Sequence, residues 1–415
     1  MPRVARKPLQ RNGAAHTKSR EIIGIINKAF GSEVLTTAAD PRLIVRYLRT
    51  GIAPIDHLLG GGLARGRMVE VFGDYSTLKS YIGYCAIAQT QADGGMAALI
   101  DTEHAFDPEW AASLGVDLET LILWPQPNTE GPRNAERALD VAETLIRGRV
   151  DLVVFDSIAA ALPRAEEEVQ LSGDKNIQPA RLASLMSTAL RKLTAANSET
   201  AIMFINQTRI NVGVMFGTNE AVPGGKAMGF YASQRLALRK SGKDTIEEDY
   251  YTFEVKDGQK KPIKKKVKKT IGTRIRATLE KSKLNQPHRD EYFTFSHETG
   301  QIDTWYWLAT QAIELGVVDY QGGWWWVRTN EDPKKMRLSD FRGAVDEEEL
   351  LKLMAKRTQK PLVSPGKSLP ARSKVASQNG KSSSAKVPAS TRTRGQAASK
   401  TTVVTRKTST RSKTR

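Results

Sequence analysis

One cysteine, Cys85, stands in the whole chain, so no disulfide framework and no cysteine-built zinc site is available within it. That usage suits a reducing cytoplasm, and Cys85 reads as buried filler rather than a reactive thiol. Long hydrophobic runs are missing too. None reaches the length a membrane-spanning helix needs, so no membrane partner is expected. The first twenty residues lack Asp and Glu, but no apolar core follows them. They do not read as a secretory signal and give only a weak signal for an organellar leader. Acid is absent again from Leu350 onward, and residues 361–415 hold 13 Lys/Arg, most of the formal net charge of +18. With few apolar side chains to bury, residues 358–415 are expected to be a disordered tail, and residues 1–17 a disordered basic N-terminus. Such a tail either solubilises the chain or serves as a polyelectrolyte arm for nucleic-acid phosphates.

The 415 residues suffice for one large α/β domain with smaller pieces. Ile22, Ile23, Ile25, Ile26 and Phe30 recur at helical spacing, which predicts an amphipathic helix over 18–30. From 68 to about 240, apolar strands and helical segments alternate, as in a mostly parallel sheet covered by helices. The predicted strands are 68–72, 96–101, 120–124, 151–156, 200–206 and 232–239. Residues 241–270 are lysine-rich and read as an insertion or an extended hairpin, with further strands at 272–281 and 290–296. The segment 303–357 holds five tryptophans, read mainly as the core of a small lobe. The expected boundaries are 18–45 for an N-terminal arm, 46–300 for the main core and 301–357 for the lobe.

The chemistry sits at strand ends. After Met68–Phe72 comes Gly73-Asp74-Tyr75-Ser76-Thr77-Leu78-Lys79-Ser80. A strand, a glycine turn and Lys-Ser begin a P-loop: backbone N–H groups cradle phosphate, Lys79 neutralises it and the Ser80 hydroxyl holds Mg²⁺. The relaxed pattern is common, since ordinary composition yields roughly 0.2 copies in such a length. Context strengthens it. The strand at 151–156 ends in Asp156, a carboxylate for the metal side. The strand at 96–101, taken as the neighbour of the P-loop strand, runs into Glu103, placed to orient a water for in-line attack. His104 beside it reads as structural. The strand at 200–206 runs on to Gln207, a sensor for the γ-phosphate. Glycine-rich residues 208–229 follow and carry Arg209, Asn211, Gly224, Gly225 and Lys226. With the loop at 163–178, which carries Arg164 and Lys175, they would flank a channel for a nucleic-acid backbone. Lys281 and Lys283, one residue apart, share a face at the end of a strand, either as a solvated edge or as a reach toward phosphate in a neighbouring protomer.

Four strings, Ile100–Pro108, Phe204–Arg209, Val212–Gly217 and Gly224–Ser233, occur in order in a chain that resembles the RecA family of homologous-recombination ATPases from about Thr17 to Pro287. The resemblance implies a RecA-like P-loop core with an N-terminal docking helix, ATP and Mg²⁺ as cofactors, and Glu103 as the water-orienting base. It also implies that Asp107 and Trp110 contact adenine, and that Lys281 and Lys283 reach the nucleotide of an adjacent subunit. The helix at 18–30 would dock on the next protomer of a helical filament, a head-to-tail contact that does not close. Single- and double-stranded DNA are the implied partners, with a single-strand-binding protein or loading factor as accessory, in the cytoplasm of a bacterial or phage-infected cell.

Three departures stand out. Leu78 occupies the place of a glycine, as in phage-type members of the UvsX kind, which implies a phage or mobile-element origin. If that place needs positive φ, leucine costs about 1 kcal/mol or more and slows turnover. The tail is basic where bacterial members end in acid, and the lysine-rich segment has no counterpart. The leading expectation is an ATP-dependent strand-exchange protein. The alternatives are a DNA-binding filament or accessory ATPase with little hydrolysis, and a helicase motor or regulatory ATPase on the same fold.

Overall fold

The computed structural model describes residues 13–31, 33–125, 131, 133–167, 180–210, 220–256, 259–327, 335–345 and 347–358. Residues 1–12 and 359–415 fall outside that description, as do Lys175 and Asn211. Nine strands make one sheet: β1 (Met68–Gly73), β2 (Ala97–Asp101), β3 (Ile122–Trp124), β4 (Leu152–Asp156), β5 (Ala201–Gln207), β6 (Gln234–Lys256), β7 (Gln259–Ser282), β8 (Arg289–Ser296) and β9 (Ile302–Asp303). Their spatial order is β9-β8-β7-β6-β1-β5-β4-β2-β3. From β6 to β3 every neighbouring pair is parallel, so six strands present their carboxyl ends at one edge. The pairs β6–β7, β7–β8 and β8–β9 are antiparallel.

The central strands are apolar on both faces because both are covered. Side chains alternate across a strand, and the burial follows. Val69, Val71, Leu99, Val154, Met203 and Ile205 pack into one core, against the helix α2 (Lys79–Ala92). Met68, Ala98, Ile100, Val153, Phe155 and Phe204 pack into the other, against α3 (Ala135–Arg147) and α4 (Ala180–Ala196). Each fully buried Val, Leu, Ile or Phe contributes about 1.5–3 kcal/mol, so the sheet holds the carboxyl-end loops on a rigid base. Cys85 is buried on α2, and burial pushes its thiol up to about 12, which makes it inert.

Two expectations need correction, and one open alternative is decided. The strand leading to Glu103 is not beside the P-loop strand: β5 and β4 lie between them. Sequence alternation counts strands but does not order them in space. The N-terminal helix begins at Gly13, not at 18, so part of the expected disordered N-terminus is helical. Ala14 and Ala15 favour helix without adding an apolar stripe, and the Thr17 and Ser19 hydroxyls donate to the Gly13 and Ala15 carbonyls. Its Ile22, Ile25 and Phe30 remain exposed. Of the two readings of 241–270, the extended hairpin is the one seen: the segment continues β6 and β7. Their ladder runs from Gln234↔Ser282 to Lys256↔Gln259, past the last β8 partner at Gly272.

A third core lies at 305–354, where Trp305, Trp307, Trp325, Phe341 and Met354 are buried together. Trp307 also donates from Nε1 to Glu291 on β8 at 2.8 Å. Trp324 instead stays on the surface, with the Arg337 guanidinium 4.2 Å from its ring centroid.

Candidate active site

The carboxyl edge of β1 turns sharply at Gly73. A Cβ there would lie 2.3 Å from the Leu238 carbonyl oxygen and 2.9 Å from the Thr77 hydroxyl, so only glycine lets β6 pass this close. The turn folds over itself: Tyr75 N–H donates to the Asp74 carboxylate at 2.8 Å, and the Thr77 hydroxyl to the Asp74 carbonyl at 2.8 Å. Leu78 then adopts φ 69 and ψ 23, directly before α2. The place does demand the left-handed conformation, and leucine supplies it at about 1–2 kcal/mol. Its side chain, half-buried, offsets part of that by packing on the core beneath. The loop therefore keeps the backbone a glycine would give it.

Lys79 and Ser80 open the first turn of α2. Lys79 is buried and donates from Nζ to the Asp74 carbonyl at 2.7 Å. Burial pulls its pKa down, against the opposing pull of Asp156, Glu103 and Asp74. Lys240, whose ammonium sits 4.3 Å from the Tyr75 ring centroid, adds to the lowering. The Ser80 hydroxyl donates to Asp156 Oδ2 at 2.6 Å. Asp156 is itself buried, and desolvation first, then the nearby Glu103 and Asp101 carboxylates, push it up to about 6 against the pull of Ser80 and Lys79. A hydroxyl and one carboxylate, all hard oxygen, fit Mg²⁺, which binds through one or two carboxylates and keeps water and phosphate as its other ligands. No group of three His, Cys, Asp or Glu poised for a metal occurs among the described residues, so a site built wholly of protein ligands is not offered there.

Although β2 lies three places from β1, Glu103 reaches the same edge. Asp101 accepts from the N–H groups of Glu103 (3.1 Å) and Phe106 (2.9 Å), which turns residues 102–106 back across β4. Thr102 locks the turn by donating to the Ser157 carbonyl at 2.7 Å and accepting from Ser157 N–H at 2.9 Å. Glu103 Oε1 then accepts from the Ser157 hydroxyl (2.6 Å) and from Gln207 Nε2 (2.8 Å). No hydrogen bond reaches its Oε2 among the described residues, so one carboxylate oxygen is held and the other is open to a water proton. Ser157, Thr102 and Asp101 were not singled out in the sequence, although Asp-Ser at the end of an apolar strand was a signal for the first.

Other expected residues lie apart from this cluster. Asp107 caps the helix Pro108–Ser113 by accepting from Trp110 N–H at 3.1 Å. Trp110, partly exposed, packs edge-on against Tyr84 with centroids 5.2 Å apart. Lys281 donates to the carbonyls of Gly229, Phe230 and Ala232, and Lys283 donates to that of Phe230. Both lysines thus grip the end of the short helix Ala227–Tyr231. Arg164 opens the helix Arg164–Glu167 after β4, and its backbone N–H donates to Glu136 at 2.9 Å. Arg209–Ile210 pairs antiparallel with Glu220–Ala221, a two-rung stem for the segment after β5. Gly225 has φ 74 and would place a Cβ 2.8 Å from Ala183 on α4, with Gly224 at φ 87 before it and Lys226 exposed after it.

A strand, a glycine turn, a buried Lys followed by Ser, and a sheet-end carboxylate bonded to that serine define a P-loop nucleotide hydrolase. The RecA N-terminal domain family matches residues 18–271. Proteins named RecA from Frankia alni and Thermus aquaticus are each 40% identical to the chain, over 72% of its length and 80% and 81% of theirs. That from Acidothermus cellulolyticus is 41% identical over 73% of this chain and 81% of its own. A solved RadB recombinase covers 61% of this chain and 98% of its own with a TM-score of 0.42 and 24% identity. The chain belongs to the RecA family, and with it to the nucleotide-binding, DNA-dependent ATPases of recombination and repair, which bind DNA and form filaments.

Proposed function

We propose that the chain coats single-stranded DNA as an ATP-bound helical filament, pairs it with a homologous duplex, and hydrolyses ATP to release the product. One observation carries the assignment of roles: Glu103 is shared by Ser157 and Gln207 at the point where residues 208–229 leave the sheet. Residues 73–80 hold the phosphates, with Lys79 exchanging the Asp74 carbonyl for a phosphate oxygen. Ser80 and Asp156 hold Mg²⁺, which when bound neutralises phosphate charge. Glu103 takes the proton of the attacking water, and Gln207 reports the γ-phosphate to the DNA-facing segment. Trp110 and Asp107 flank the base. Lys281 and Lys283 leave the carbonyls at 229–232 for the nucleotide of the next protomer, on which the helix at 13–30 docks its exposed isoleucines. Arg164, Lys175, Arg209, Asn211, Gly224, Gly225 and Lys226 line the DNA path, with a single-strand-binding protein or loading factor as accessory in the cytoplasm. Since Leu78 keeps the glycine-like backbone, a filament without turnover is the weaker reading.

Fluorescence anisotropy of a labelled oligonucleotide tests this. Affinity is expected to require Mg–ATP, to be nearly independent of sequence, and to fall linearly with log salt, as backbone binding does. Affinity indifferent to nucleotide would overturn the proposal.

Asp156 gives a pH signature. Its folded value, about 6, lies above the ordinary 3.8, so its contribution to nucleotide-free stability is present below 3.8 and is lost as pH rises through 6. Cation binding runs the other way, because the ligand is the carboxylate. Between pH 7 and pH 5 the affinity for Mg–nucleotide should fall by about tenfold more in the parent than in Asp156→Asn. Calorimetric titration at the two pH values measures the difference; equal slopes would remove Asp156 from the metal site.

A further inference from the structure

Beneath the catalytic pair lies a second polar cluster that the reaction does not touch. Asn206 precedes Gln207 on β5 and is fully buried. Its Oδ1 accepts from the Gln207 backbone N–H at 3.0 Å. Its Nδ2 donates twice, to Glu70 Oε1 at 3.1 Å and to the Pro223 carbonyl at 3.0 Å. Glu70 is fully buried on β1, three residues before Gly73, and its Oε2 accepts from Arg235 Nε at 2.5 Å. Arg235 is paired in register with Glu70, and its guanidinium lies 4.5 Å from the Phe72 ring centroid. Only one orientation of the amide suits this setting. The flipped form would set its oxygen against a carboxylate and a carbonyl, both of which need a donor.

We infer that Asn206, anchored by the Glu70–Arg235 pair, is a positioning residue that couples the return arm at Pro223 to the Gln207–Glu103 pair. The inference rests on the reading above, in which that segment faces DNA and Gln207 reports on phosphate. A carboxamide is a rigid plane, so its three bonds cannot move independently. If DNA draws the segment outward and carries the Pro223 carbonyl with it, the plane turns and the acceptor for Gln207 N–H turns with it. Asn206 is fully buried, so losing one partner leaves a polar group unsatisfied, a half-broken arrangement is disfavoured and the cluster has discrete states. Glu70 and Arg235 hold the other end still: both stand on rigid strands, one of them the strand that becomes the phosphate loop. The cluster thus joins the loop that binds phosphate, the side chain that reads it and the return arm of the DNA-facing segment.

The test is Asn206→Ala, with the parent alongside, in ATP turnover with and without single-stranded oligonucleotide. The variant is expected to keep its DNA-free turnover and its KM for ATP within about twofold and to bind the oligonucleotide, while DNA stimulation of kcat drops by about tenfold, within the usual range of coupling between sites. A merely structural role would depress DNA-free turnover and thermal stability together and leave the stimulation ratio alone. Should Asn206→Ala not fold, Asn206→Ser is the second variant. It keeps a hydroxyl near Gln207 N–H but is too short to bridge Glu70 and Pro223, and it should show the same loss of stimulation. Parent-like stimulation in a folded variant overturns the coupling and leaves the DNA reading intact. A parent that DNA does not stimulate overturns the DNA reading, and the coupling with it.

Discussion

Glu103→Gln is expected to lower ATP turnover by about 10²–10⁴-fold, the usual contribution of a positioned general base. Nucleotide-dependent DNA binding should survive. The geometry separates the two effects. Glu103 Oε1 receives the Ser157 hydroxyl and the Gln207 amide, and a glutamine oxygen can still accept both bonds, though without charge assistance. What vanishes is the charge on the other oxygen, the one that would take a proton from water. The carboxyl group also stands near buried Asp156, whose protonation it favours by repulsion, so neutralising it should ease rather than hinder metal binding. Single-turnover quench kinetics, with ATP affinity from a parallel titration, check the outcome. Loss of affinity equal to the loss of rate would mean that Glu103 holds the nucleotide instead of activating water.

Lys79→Ala should cost binding as well as rate. Its ammonium is the buried cation among Asp74, Glu103 and Asp156, and burial disfavours its charged form while the loop is empty. Among the described residues it donates only to a backbone carbonyl there, so a phosphate oxygen is a better partner waiting to be offered. A charge-assisted hydrogen bond is worth about 1.5–3 kcal/mol, so ATP affinity should fall by about 10–100-fold. Turnover at saturating ATP should fall by at least a further ~100-fold, since charge stabilisation at the transferring phosphoryl group is lost. DNA binding that requires ATP should go with it. Thermal stability without nucleotide should change little, because the side chain is partly desolvated without a phosphate to repay it. An unchanged ATP affinity would place the phosphates elsewhere.

Much of this was legible in the chain. Gly73, Lys79 and Ser80 could be read because a phosphate loop is local, a strand, a turn and a helix contiguous in sequence; Asp156 was read from the end of its own apolar strand. The two-sided apolar strands could be read because burial on both faces leaves runs such as Leu152–Phe155 without polar interruption. The ladder between them could not. Glu103 was assigned to the strand beside the P-loop, yet two strands intervene, since alternation of strand and helix does not reveal spatial order. For the same reason the partners of Glu103 were hidden. Ser157 and Asn206 act through residues 54 and 136 positions away; the strand-end Asp-Ser was a signal for Ser157, but neither neighbourhood shows the partner. Leu78 was legible as a departure, but its cost depended on a dihedral that only the fold supplies. The long hairpin was half legible: charge around strand-forming Tyr250, Tyr251 and Phe253 left the segment open between an insertion and an extended hairpin, and the ladder shows the hairpin.

The most direct measurement is steady-state ATP hydrolysis by the full chain, with and without single-stranded DNA, at fixed salt. Stimulation by the single strand is the expected result, because Gln207 joins Glu103 to the segment proposed to face DNA and Leu78 keeps the left-handed backbone of a glycine. ATP-dependent DNA binding without any hydrolysis would contradict it, and would make the protein a binding filament.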